Sequence, residues 1–320
     1  MLFDLFFFIL ALVVVLICAN LLVNYALKLS KLLHLSPFLV GMTILAAGTS
    51  LPELAISLLA NIEGQTGLSI GNILGSNIAN ATLVLGLAFI FFPIRIGTRK
   101  TQRNSLLLFL ITIFFAIILG FFKEITFLFG VILILLSIIV FWYQTKLVEE
   151  DELIGFEKDL GINASNKANP KEIIFLLGKF TLGSIVIFFS SHWIIQSSIS
   201  LIKSLGISGE IFGLTILAIG TSLPEFFTTI IAANKKEAKL LIGNILGSNI
   251  VNLLLVGGAA SLIHPLVLTN QKLLIYWLGS AGLLFLIIRK YKGTTVSKKV
   301  GVLLLTMFVF YLTWIWGLLS

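Results

Sequence analysis

Apolar stretches of membrane length follow one another along the whole chain, separated by short polar or basic joints. A helix crosses hydrocarbon with about 20 apolar residues. Ten stretches meet or approach that length, at 2–26, 36–61, 67–93, 104–122, 125–144, 173–201, 209–233, 240–263, 272–288 and 301–319. Those that exceed it predict tilted or broken helices. The pattern predicts an all-α integral membrane protein of ten transmembrane helices. Composition agrees, since 58% of the residues are hydrophobic and 11% charged. The opening stretch, MLFDLFFFILALVVVLICAN, has no basic residue ahead of it and runs too long for a signal sequence, so it reads as span 1.

Polar positions inside these stretches are few, and they repeat. Gly41 to Asn80 and Gly213 to Asn252 align without a gap, 172 residues apart, with 23 of 40 positions identical. Each copy carries GTSLPE, then GNILGSN. Five spans separate equivalent positions, and five is odd, so the second half is expected to be inverted relative to the first. Inverted repeats place a shared site at their interface near the midplane. The expected organisation is a five-span repeat over 1–144, a linker over 145–172 and a second five-span repeat over 173–320. The linker holds an acidic run, Glu149 to Glu152, which reads as solvated chain.

Charge sharpens the topology. The net charge of +8 invites a nucleic-acid reading, but its distribution excludes one. Of 22 Lys and Arg, 18 fall on one side of the ten-span layout and three on the other; the last, Lys179, lies near an end of span 6. Basic loops face the cytoplasm. Both termini are therefore expected outside, in a multi-pass protein of the cell membrane whose partner is the lipid bilayer. The sequence leaves the oligomeric state open.

Of 14 acidic residues, only Glu53 and Glu225 lie well inside apolar spans. An intramembrane carboxylate is costly and marks a functional site. Two carboxylates meeting in low dielectric repel and need a cation or a proton. Pro52 and Pro224 precede them, and each removes a helical N–H and disturbs the carbonyl four residues back, at Gly48 and Gly220. A broken helix with free carbonyls is expected at Ala46 to Thr49 and Ala218 to Thr221, and such carbonyls coordinate cations. On the partner strip, Gly71, Gly75, Gly243 and Gly247 form small faces for close helix packing. Asn72, Ser76 and Asn80 share one helical face, and Asn244, Ser248 and Asn252 match them. Carboxylate, hydroxyl, amide and carbonyl oxygens together suit a hard cation such as Ca2+ or Na+. The single cysteine, Cys18, and the histidines His34, His192 and His264, near span ends, do not make a zinc or copper site or an enzyme's nucleophile–base pair. No cofactor is expected.

In these paired strips the chain resembles the calcium/cation antiporter superfamily, and within it the sodium/calcium exchanger branch of prokaryotic type. The resemblance covers both cassettes and the ten-span layout. It implies ligation by the carboxylates of Glu53 and Glu225, by backbone oxygens of Ala46, Thr49, Ala218 and Thr221, and by side chains of Thr49, Ser50, Ser76, Asn80, Thr221, Ser222, Ser248 and Asn252. Some relatives, including the potassium-dependent branch, carry Asp where this chain has Asn252, which speaks against potassium co-transport. With Asn in both repeats the site has a formal charge of −2, matched by one Ca2+ or two Na+. The implied activity is Ca2+ export in exchange for Na+, with spans 2, 3, 7 and 8 as the ion core and spans 1 and 6 as the moving gate. Ca2+/H+ exchange on the same scaffold is the alternative, disfavoured by the lack of the second acid that the proton-coupled branch usually carries in the GN strip. A channel, which needs no counter-ion, is a third.

Overall fold

A computed structural model describes residues 2–33, 35–97, 99–146, 170–202 and 209–317. Most of the 145–172 linker, including its acidic run, lies outside the described residues, as does His34. Among the described residues nine helices have the length and apolarity to cross a membrane, and a bent pair, Pro37–Thr49 and Leu51–Ile62, completes ten. Span 1 is Leu2–Leu32 and span 2 the bent pair. Span 3 is Thr66–Phe91, span 4 Arg99–Phe122 and span 5 Phe127–Lys146. Span 6 is Pro170–Ile202 and span 7 Gly209–Asn234. Span 8 is Ala238–Ser261, span 9 Lys272–Lys290 and span 10 Lys298–Gly317.

Several helices overrun the apolar stretches that announce them. Span 1 continues through Lys28 and Lys31, and span 4 starts at Arg99, so Arg103 is helical and not a loop residue. Lys and Arg have good helix propensity and carry their charge on a long stem, so a helix need not stop where the apolar run does.

Contacts between joints establish which of them share a side. The joint between spans 3 and 4 pairs with that between spans 9 and 10, where Ile96 N–H donates to Thr294 O at 3.0 Å and Val296 N–H to Ile94 O at 2.9 Å. On the other side Glu124–Ile125 pairs antiparallel with Leu266–Val267. Both pairings fit a ten-span, inverted count. Spans 1 and 6, of 31 and 33 residues, pack along each other and against the core pair of spans 2 and 7.

The core is set by glycine. Span 3 crosses span 7 where an added Cβ on Gly71 would stand 2.6 Å from Glu210 O, and one on Gly213 2.6 Å from Leu68 O. Span 2 crosses span 8 in the same manner, through Gly41 and Gly243. Lipid offers no hydrophobic drive for helix association, so backbone contact of this kind supplies the packing. Each repeat thus clasps the other, and among the nine unbroken membrane-length helices of the described residues spans 3 and 8 are the most buried.

Candidate ion-binding site

Local backbone shapes the site in two ways. The first is the break that the prolines predict, located at Ser50 (φ −85°, ψ 10°) and Ser222 (φ −80°, ψ 5°), each just ahead of Leu-Pro-Glu. Span 2 bends by 43° there. The expectation of an unwound segment is corrected: Ala46–Thr49 and Ala218–Thr221 are helical turns. Ala46 O accepts Ser50 N–H at 3.0 Å, and Ala218 O accepts Ser222 N–H at 3.1 Å. Proline deletes only its own donor, so the bond two residues further back closes normally.

The second feature was not legible beforehand. Among the described residues, π-helical turns occur at Gly41–Leu45, Asn80–Val84, Gly213–Leu217 and Asn252–Val256. They obey the 172-residue symmetry. A π turn adds one residue to the helix and turns the following side chains about the axis; such turns collect at functional sites. Two of them open on Asn80 and Asn252.

All twelve residues singled out from the sequence are buried, and hydrogen bonds link the core spans between repeats. Glu225 Oε1 accepts from Ser50 Oγ of the other repeat and from Ser248 Oγ, both at 3.2 Å. Glu53 Oε1 has Ser222 Oγ at 3.5 Å. The Thr221 hydroxyl lies 3.1 Å from Asn72 Oδ1 and from Ser76 Oγ, and 3.3 Å from Ala218 O. The Thr49 hydroxyl has the equivalent neighbours, Asn244 Oδ1 at 3.5 Å and Ser248 Oγ and Ala46 O at 3.4 Å. A hydroxyl carries one proton, so acceptors outnumber donors and oxygen lone pairs are left over.

The leftover oxygens are identifiable. Glu53 Oε2, Glu225 Oε2, Asn80 Oδ1 and Asn252 Oδ1 are buried and accept no hydrogen bond. Native proteins rarely leave such atoms unpaired, and each case calls for an explanation. Two carboxylate and two amide oxygens related by the repeat, with serine and threonine hydroxyls beside them, supply hard ligands in the number a Ca2+ ion takes. Among the described residues no third His, Cys, Asp or Glu joins the glutamates, so the formal charge is −2.

Two residues inside the repeated strip went unassigned by the sequence reading. Asn80 Nδ2 donates to Asn249 Oδ1 at 3.0 Å, and Asn252 Nδ2 to Asn77 Oδ1 at 3.3 Å. Asn77 and Asn249 in turn donate to each other's backbone carbonyl, at 3.3 and 3.4 Å. This brace occupies the nitrogen end of Asn80 and Asn252 and leaves their oxygens unpaired. Its only trace in the sequence is that both strips end in the same SN. Asn72 and Asn244 also brace, donating to Ser57 Oγ at 3.0 Å and Thr228 Oγ1 at 3.2 Å.

Two inverted five-helix repeats closed around an acceptor-rich, carboxylate-bearing core define a multi-pass membrane transporter. Residues 3–146 and 175–317 match the family described as sodium/calcium exchanger protein, and the chain belongs to that family. It is 30% identical to the sodium/calcium exchanger MaX1 of Methanosarcina acetivorans, over 91% of this chain and 92% of that one. It is 31% identical to the inner membrane protein YrbG of Escherichia coli, over 80% and 79%. Among solved structures it resembles the sodium-calcium exchanger NCX_Mj soaked with 10 mM Na+ and zero Ca2+, with a TM-score of 0.81 and 28% identity over 97% of this chain and 98% of that one. The family is one of transporters and not of catalysts.

Proposed function

We propose that the protein is an antiporter that exports Ca2+ in exchange for Na+ by alternating access. The observation that carries this is the set of four buried, unpartnered oxygens on Glu53, Glu225, Asn80 and Asn252. The membership of the sodium/calcium exchanger family supports it, as do the names of MaX1 and NCX_Mj. Glu53 and Glu225 carry the charge, and either one Ca2+ or two Na+ cancels it. Thr49, Ser50, Ser76, Thr221, Ser222 and Ser248 turn hydroxyl oxygens to the ion, and the backbone carbonyls of Ala46, Thr49, Ala218 and Thr221 complete its shell.

Exchange follows from electrostatics. An empty site holds two unbalanced carboxylates in low dielectric, which is expensive. A loaded site is neutral. Only the loaded forms rearrange at a useful rate, so cations must be carried in both directions. Spans 1 and 6, the long pair lying along the core, slide as the gate. The two repeats span residues 1–144 and 173–320, the basic joints face the cytoplasm, and both termini lie outside the cell membrane.

The test is ⁴⁵Ca2+ uptake into proteoliposomes loaded with Na+ and diluted into Na+-free buffer, beside vesicles holding only a pH gradient. Uptake that requires internal Na+ and disappears in Glu53→Gln and Glu225→Gln is the expected result. Uptake driven by the pH gradient alone assigns proton coupling instead. Uptake indifferent to both gradients is that of a channel and overturns the proposal.

A further inference from the structure

On the side of the basic joints, far along the chain from the glutamates, spans 4 and 9 enclose a crevice of about 560 Å3. It is lined by Arg99, Gln102, Arg103 and Leu106 of span 4 and by Phe285 and Arg289 of span 9. On a helix, residues three and four apart share a face. Arg99, Gln102, Arg103 and Leu106 therefore form one stripe, and Phe285 and Arg289 form the facing one. Three of the six lining residues are arginines, and none is acidic. Gln102 fixes the rim by donating from Nε2 to Arg289 O at 3.4 Å.

Arg103 is the informative member. Its Nε and Nη2 are buried and have no hydrogen-bond partner. Its guanidinium carbon stands 5.6 Å from the centre of the Tyr143 ring, so that face is already held by a cation–π contact. A desolvated guanidinium N–H without an acceptor costs more than a neutral one. The geometry asks for an anion with several oxygens, which a guanidinium fork binds in bidentate fashion.

Below the arginines the crevice becomes apolar. Leu106 is exposed, and Phe285 stacks on Phe109 with ring centres 5.5 Å apart. Leu110, Phe114 and Ile117 continue the exposed apolar surface down span 4, and Leu286 does so on span 9. Span 4 begins at Arg99, so Arg103 stands only about 6 Å further in, at 1.5 Å of rise per residue. That is headgroup depth.

We propose that this crevice is a binding site for an anionic glycerophospholipid. Its phosphodiester sits among Arg99, Arg103 and Arg289, and an acyl chain lies along Leu106 and Phe285. Basic pockets between transmembrane helices at the cytoplasmic interface recognise such headgroups. A free phosphate has the same oxygens but makes no use of the apolar floor, and the crevice provides both zones. The site is distinct from the ion core and stands whether or not the exchange reading does.

The test is a titration of the purified full-length protein in detergent with a phosphatidylglycerol, a phosphatidylcholine of the same acyl chains, and inorganic phosphate. Bound lipid is read by native mass spectrometry. Saturable binding of phosphatidylglycerol is expected, with phosphatidylcholine and phosphate at least tenfold weaker. One basic side chain beside an anionic lipid is worth about fivefold in affinity, so R103Q with R289Q should weaken phosphatidylglycerol binding about 30-fold. The control K298Q with K299Q removes the same charge on the same side outside the crevice and should leave binding within twofold. If the double variant does not fold, the exposed Arg289→Gln carries the test with a loss of about fivefold. Phosphate binding as tightly as the lipid would assign the crevice to a free anion and overturn the proposal. So would equal binding of the two lipids, an unchanged affinity in the crevice variants, or an equal loss in the control.

Discussion

Glu225→Gln separates the carboxylate's charge from its shape. The side chain is fully buried, and its Oε1 accepts from Ser50 and Ser248 at 3.2 Å each. A glutamine carbonyl accepts both bonds unchanged. The other oxygen, Oε2, has no partner and becomes an NH2 group. The substitution therefore halves the formal charge of the core and turns a donor toward the ion. Removing one partner from a buried ion pair costs roughly 3–5 kcal/mol. At about 1.4 kcal/mol per decade, Ca2+ affinity should fall about 10²- to 10⁴-fold. The assay is equilibrium ⁴⁵Ca2+ binding to the purified protein in Na+-free detergent solution. Thermal unfolding without ions is the companion measurement. There the wild-type carboxylates repel each other uncompensated, so the variant should unfold at the same temperature or higher. Lower affinity with undiminished ion-free stability is the signature of a ligand. An affinity change below tenfold would refute the assignment of Glu225, and an ion-free unfolding temperature several degrees lower would show that the side chain serves packing instead.

Asn249→Ala should release the amide of Asn80 and cut Ca2+ affinity about tenfold with the fold intact, an effect of order 1.4 kcal/mol read in the same binding assay; unchanged affinity would show that the asparagine brace does not orient the site. Gly75→Ala places a methyl 2.6 Å from both Ala218 Cβ and Leu214 O, so spans 3 and 7 must separate. Overpacking of this kind costs about 1–3 kcal/mol and should lower the unfolding temperature. Gly279→Ala, with no atom within 4 Å of the added methyl, should stabilise by up to about 1 kcal/mol through helix propensity. Tyr311→Phe strips Leu214 O, in the π turn of span 7, of the hydroxyl that donates to it at 2.8 Å. A buried carbonyl so deprived costs about 1–3 kcal/mol in thermal unfolding.

Much of the ion core was legible because its signals are local and doubled. Two glutamates in apolar spans stand out against hydrocarbon, and proline beside each announces a break. The glycine strips announced close crossings, and Gly71, Gly75, Gly243 and Gly247 make them; Gly41 and Gly213, on the partner helices, carried no such signal. The reading erred where the outcome depends on hydrogen-bond register. Proline implied free carbonyls at Ala46 and Ala218, yet both close ordinary helical bonds. Nothing at Gly41, Asn80, Gly213 or Asn252 distinguishes a π turn from an α turn, since the two differ only in which carbonyl a given N–H selects. Arg103 was placed outside span 4 because hydropathy counts its charge and not its stem.

Span number, inverted duplication and the identity of the buried carboxylates were determined by the sequence alone. Each depends on composition and spacing within a stretch of about 20 residues, where the cost of polar groups in lipid leaves few solutions. Only the tertiary structure decided how the oxygens are shared. Ser50 serves the glutamate of the other repeat, and Asn77 and Asn249 meet although 172 residues separate them. It also decided that Arg103 faces a crevice closed by span 9. These are contacts between elements distant in the chain, and the crossing of helices selects them where no local pattern can.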